Sequence, residues 1–125
     1  MNIHESAENY LEAILALGEK GRPVRSIDVA QYLNFSKPSV SRAMSLLREG
    51  GFVVMDAGGF LTLTVEGLEI ARRLDERHLL LTRWLIHLGV SEKVAAEDAC
   101  RIEHDLSVES FDALRGHINR DLGIE

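Results

Sequence analysis

Between residues 5 and 19 the apolar side chains Ala7, Leu11, Ile14 and Leu15 return every three or four positions, which lays one apolar stripe along a helix. Gly21 and Pro23 stop it. Two shorter helical stretches follow. "IDVAQYL" has Ser26 as its expected N-cap; "KPSVSRAMSLLREG" has Ser36 as N-cap, Pro38 in the first turn, where a missing amide costs little, and Gly50 at its end. Only Asn34 and Phe35 separate them, so the chain turns a tight corner, and Asn34 is a residue type that accepts the left-handed backbone such a corner needs. With small Ala30 at the crossing, and Val29, Leu33, Phe35, Val40 and Ala43 expected to be buried between the two helices, the pair reads as a helix-turn-helix. In "FVVMDAGGFLTLT" the pattern changes to two β-rich runs broken by Gly58 and Gly59, a hairpin that would form a wing.

Beyond the wing the helical period returns. Residues 65–89 carry apolar positions at Leu68, Ala71, Leu74, Leu81 and Leu85, and His78 falls into that stripe where another leucine is expected. Two more helices are expected over about 91–104 and 107–120, the last with Ser107 as N-cap and Glu109 and Asp112 in its opening turns. Val94, Ala99, Ile102, Leu106, Phe111, Leu114 and Ile118 supply more apolar surface than a lone small domain needs, which predicts a homodimer interface. The expected fold is mainly α: an N-terminal winged helix-turn-helix over 1–72, then an all-helical domain over 73–125.

At 125 residues, 46% hydrophobic and 27% charged, the chain has the composition of a globular protein of one domain or two small ones that share a core. No apolar run approaches the roughly 18 residues of a membrane span, and the polar, acidic start "MNIHESAENY" does not read as a secretory signal. A single cysteine cannot form an internal disulfide, so a reducing cytoplasm is the expected location and no membrane partner is expected. The net charge of −6 hides an asymmetry. Residues 21–50 hold five basic groups against two acidic ones, while residues 84–125 hold four against nine. The basic segment coincides with the helix-turn-helix, whose second helix would enter the major groove of double-stranded DNA. Candidate contacts are Arg25, Ser36, Lys37, Pro38, Ser39, Ser41 and Arg42: arginine for a guanine edge, serine for phosphates, proline for a thymine methyl.

The acidic half carries other chemistry. Cys100 stands three residues before Glu103 and four before His104, so on a helix turning about 100° per residue all three fall within one arc. A lone buried cysteine or core histidine has a bland reading; His78 in the apolar stripe together with this trio makes four candidate ligands, and Glu12, bordering the first stripe with Asn9 one turn before it, is a fifth candidate. A carboxylate turned towards a core needs a partner, and a divalent cation is one that holds it ionised.

These segments carry a resemblance. "ENYLEAI" at 8–14, "FSKPSVSRAM" at 35–44, "RHLLL" at 77–81 and "EDACRIEHDLS" at 97–107 are similar to the diphtheria toxin repressor and manganese transport regulator family, bacterial transcription factors activated by a divalent metal. The resemblance implies a winged-helix domain and a helical domain that dimerises and shares the metal site with the first helix. Carried over by position, the ligands fall on Asn9, Glu12, His78, Cys100, Glu103 and His104. The manganese branch has acids where this chain has Asn9 and Cys100. The iron branch has methionine at the first of these and cysteine at the second, but Thr82 and Ala96 stand where it has Glu and His, and the sequence stops at Glu125, before the third domain of its longer members. With a thiolate and two imidazoles beside the carboxylates the expected cofactor is Fe(II), with Mn(II) next and Zn(II) or Co(II) able to bind in vitro. The expected function is a metal-dependent repressor of metal-uptake genes, acting as a homodimer on a palindromic operator. A redox-sensing DNA-binding regulator using Cys100 is the alternative. An enzyme is not expected, since no paired base and nucleophile, phosphate-cradling loop or room for a small-molecule substrate is evident.

Overall fold

A computed structural model describes residues 5–124, and the side chains of 7–124. In chain order the elements are α1 (Glu5–Gly18), β1 (Val24–Arg25), α2 (Ser26–Leu33), α3 (Lys37–Glu49), β2 (Val53–Met55), β3 (Phe60–Leu63), α4 (Val65–His87), α5 (Glu92–Asp105) and α6 (Val108–Leu122). They form two compact units, Met1–Arg72 and Arg73–Glu125. No helix of the described residues is long and apolar enough to cross a membrane.

In the first unit α1, α2 and α3 share one core in which Leu11, Val29, Val40 and Met44 are buried. The corner between α2 and α3 is made by Asn34, the one non-glycine residue of the described chain with positive φ (φ 59°, ψ 45°). The hairpin is present, with Val53 opposite Leu63 and Met55 opposite Leu61, but it belongs to a three-stranded antiparallel sheet ordered β1-β3-β2. The third strand, β1, is only Val24 and Arg25, paired with Leu61 and Phe60. Two expectations are corrected, the first by this strand. Because the strand runs directly into α2, the cap position is the extended Arg25 (φ −118°, ψ 166°), Ser26 is already helical, and the Asp28 carboxylate accepts the Arg25 backbone N–H at 2.9 Å. Phe35 is not buried between the helices: it is 43% exposed, with its ring meeting Tyr10 edge-on at 5.8 Å. Leu33 and Ala43 are half-buried.

The wing is joined to α4 by a close backbone approach. Thr64 donates its hydroxyl to the Gly51 carbonyl (2.7 Å) and accepts the Gly67 N–H (3.1 Å). A Cβ at Gly67 would fall on the Phe52 carbonyl, so this turn of α4 requires glycine.

The second unit holds the remainder of α4 with α5 and α6 around buried Leu81, Ala99, Phe111 and Ile118. Ser91 and Ser107 cap α5 and α6, accepting from Val94 N–H (3.4 Å) and Ser110 N–H (3.1 Å). Val94 is exposed rather than packed, and it shares the surface of this unit with Leu79, Leu88 and Val108.

Candidate metal centre and DNA-reading face

The last two turns of α5 place Cys100, Glu103 and His104 as the i, i+3, i+4 spacing requires, with one ligand atom from each lying within 4.8 Å of the others. At bond lengths of about 2.0–2.3 Å to nitrogen, oxygen and sulfur, two ligands of one cation stand no more than about 4.6 Å apart, so this donor set fits a single ion with little adjustment. His78 on α4 reaches one of them: its Nδ1 is 3.1 Å from Oε2 of Glu103, while the other carboxylate oxygen, Oε1, is 3.5 Å from Nε2 of His104. Glu103 is therefore flanked by two imidazoles. Its side chain is 1% exposed, a setting in which an ionised carboxylate needs compensating charge. His78 supplies it. The hydrogen bond to Glu103 raises the His78 pKa above its ordinary 6.5, burial works against that rise, and the negative charges of Glu103 and Asp75 add to it. Cys100 is exposed at the rim.

Of the six expected ligands, Cys100, Glu103 and His104 converge in the second unit, and His78 reaches one of them, Glu103. Asn9 and Glu12 lie on α1 in the first, half-buried and three residues apart on one side of that helix. Spacing did not single out Arg77, which is buried and donates from Nη1 to the backbone carbonyls of Glu103 (2.9 Å) and Leu106 (2.8 Å). The available signal was its place between Leu74 and Leu81 in the stripe, which marks an inward position.

The DNA-reading candidates cluster on the open side of α3. Ser36 caps that helix, accepting the Ser39 N–H at 3.3 Å, and the two hydroxyls are 2.8 Å apart. Lys37, Pro38, Ser39, Ser41 and Arg42 are exposed, and Val40 and Met44 anchor the opposite side in the core. Arg25 stands apart, on β1, with its guanidinium 4.3 Å from the centre of the Phe60 ring. Phe60, a platform for that cation, was not anticipated.

Two family descriptions match the chain: the N-terminal DNA-binding domain of iron dependent repressors over residues 2–58, and their metal binding and dimerisation domain over residues 64–120. An uncharacterised HTH-type transcriptional regulator of Methanocaldococcus jannaschii is 34% identical over 113 residues, 89% of this chain and 90% of that protein. The transcriptional regulator MntR of Escherichia coli is 34% identical over 111 residues, covering 89% and 72%. Among solved structures, the manganese regulator SloR has a TM-score of 0.79 at 25% identity, covering 100% of this chain and 56% of that one. A manganese-dependent transcriptional repressor in complex with manganese has a TM-score of 0.79 at 30% identity, covering 95% and 53%, so this chain spans about half the length of these two solved regulators.

Proposed function

The chain belongs to the iron dependent repressor family of metal-dependent transcriptional regulators, whose members bind DNA and dimerise, and from that premise we propose that it is a repressor of metal-uptake genes activated by Fe(II) or Mn(II). The observation that carries the proposal is the convergence of Cys100, Glu103 and His104 within 4.8 Å, with His78 hydrogen-bonded to the same glutamate. The resemblance adds Glu12 and Asn9 of α1 to the proposed ligands. Manganese in the names of two similar solved regulators weighs towards Mn(II); the thiolate of Cys100 in place of a harder carboxylate weighs towards Fe(II), which also exceeds Mn(II) in intrinsic affinity.

When bound, a divalent cation supplies the positive charge that lets Glu12, Cys100 and Glu103 be ionised together. His78 and His104 would each offer a neutral ring nitrogen to the cation, so binding would release any proton held on His78. With Glu12 among the ligands, as the resemblance implies, metal binding would fix the posture of α1 and of the α2–α3 pair packed on it. In a homodimer on a palindromic operator the two α3 helices must stand about 34 Å apart to enter successive major grooves, so fixing posture selects the DNA-competent form. Ser36, Lys37, Pro38, Ser39, Ser41 and Arg42 read the groove, and Arg25 holds a phosphate. As a DNA-binding regulator it acts in the cytoplasm.

The test is anaerobic titration of the protein onto a palindromic promoter fragment with Fe(II), Mn(II), Zn(II) or chelator. Fe(II) or Mn(II) should tighten binding and chelator reverse it; binding indifferent to chelator would remove the corepressor role. A thiol redox sensor is the second reading, favoured by the exposure of Cys100. It predicts that Cys100→Ser abolishes an oxidant response while leaving the metal response intact.

A further inference from the structure

We propose that Arg77 is a positioning residue of the metal centre, holding the C-terminal turn of α5, and through it the ligand atoms of Glu103 and His104, in the arrangement a cation needs. The inference rests on the metal-site reading above.

A helix ends with about four carbonyls that have no partner within it. Many helices close this end with a left-handed glycine, as Gly123 does for α6 at φ 73°. The end of α5 has no such residue: Leu106 follows in an extended conformation (φ −83°, ψ 133°). Arg77 takes over the task, with Nη1 donating to the Glu103 carbonyl at 2.9 Å and the Leu106 carbonyl at 2.8 Å. The two acceptors bracket His104 in the chain. A fixed cation at this end also complements the negative pole of the helix.

Burying a guanidinium is expensive, and the Leu74–Leu81 stripe would accept a leucine at position 77 without that cost. A leucine cannot hold two carbonyls. The arginine is in turn held in place: its guanidinium lies 4.9 Å from the centre of the Phe111 ring, and the same ring carries Arg115 at 4.9 Å, which is ion-paired to Glu76 at 2.8 Å. The next residue along α4, His78, reaches the Glu103 carboxylate at 3.1 Å. Glu103 is therefore held twice by neighbouring residues, its main chain by Arg77 and its side chain by His78. Helix ends fray, and Cys100, Glu103 and His104 all lie in the last two turns; without Arg77 their ligand atoms would spread. Loss of such outer support costs about 10–100-fold in metal affinity.

The experiment is anaerobic Co(II) titration of the full chain followed by absorbance, which reads affinity, the sulfur-to-cobalt band from Cys100 and the ligand-field pattern together. Arg77→Gln should weaken Co(II) binding 10- to 100-fold and alter the ligand-field bands while its helical circular dichroism matches the parent, and Arg77→Lys should recover part of the loss. Arg77→Gln that binds within twofold of the parent with the same bands overturns the proposal. So does an equal loss of affinity in Ile118→Val, a buried change in the same unit's core, at matched melting temperature, since Arg77 would then act by general stability alone. Amide exchange keeps the proposal testable if Arg77→Gln does not fold: residues 103–105 of the metal-free parent should be protected like mid-helix amides, and exchange at fraying rates overturns it. A parent that shows no sulfur band, or one that survives Cys100→Ser, refutes the metal-site reading itself rather than the role of Arg77 within it.

Discussion

Glu103 is the residue on which the centre turns. Its carboxylate is buried between His78 and His104, and its backbone carbonyl accepts from Arg77. The hydrogen bond to Glu103 raises the His78 pKa against the pull of burial, and the charges of Glu103 and Asp75 add to the rise. A raised folded-state pKa means that the pair's contribution to stability is fully present below the ordinary value of 6.5 and is lost as pH rises through the raised value. Thermal melts of the metal-free protein across that window should show the parent losing its advantage over Glu103→Gln as pH rises; an advantage that grows with pH would contradict the pairing. Metal affinity should run the other way, increasing with pH, because ligation displaces the His78 proton. Cys100→Ser removes the one soft donor. It should weaken Fe(II), Co(II) and Zn(II) by an order of magnitude or more and Mn(II) much less, measured by competition with a chromophoric chelator.

At the scale of elements, Gly67 joins the wing to the start of α4. Gly67→Ala drives a methyl into the Phe52 carbonyl and should cost about 1–3 kcal/mol in denaturant unfolding. Gly18→Ala, where the added carbon meets nothing within 4 Å and φ is not positive, should be neutral or slightly stabilising. Equal effects at the two sites would refute the close-approach account. The helices were legible in the sequence because each carries a stripe and a stop, and the caps Ser36 and Ser107 and the left-handed Asn34 are used as their chemistry suggests. Strand β1 was not legible: two residues have no period, and they become a strand only by pairing with Phe60 and Leu61. The cap of α2 was misplaced for the same reason. Phe35 looked like core because it is large and sits at the corner, but the turn delivers its ring to an edge contact with Tyr10 and leaves the rest in solvent.

For the whole molecule, local spacing could bring Cys100, Glu103 and His104 together, since one helix carries them; placing His78 needed the packing of α4 on α5, and the part assigned to Glu12 needs a second unit. The account makes these ligands a switch on DNA binding, and a switch of that kind is reciprocal: if metal tightens DNA, DNA must tighten metal by the same factor. The most direct measurement is therefore the Mn(II) affinity of the protein alone and at saturating palindromic operator, at one pH and salt concentration. The account predicts tighter Mn(II) binding with operator, by a factor of about 5–150 that equals the factor by which Mn(II) tightens operator binding. Identical Mn(II) affinity with and without operator would contradict it.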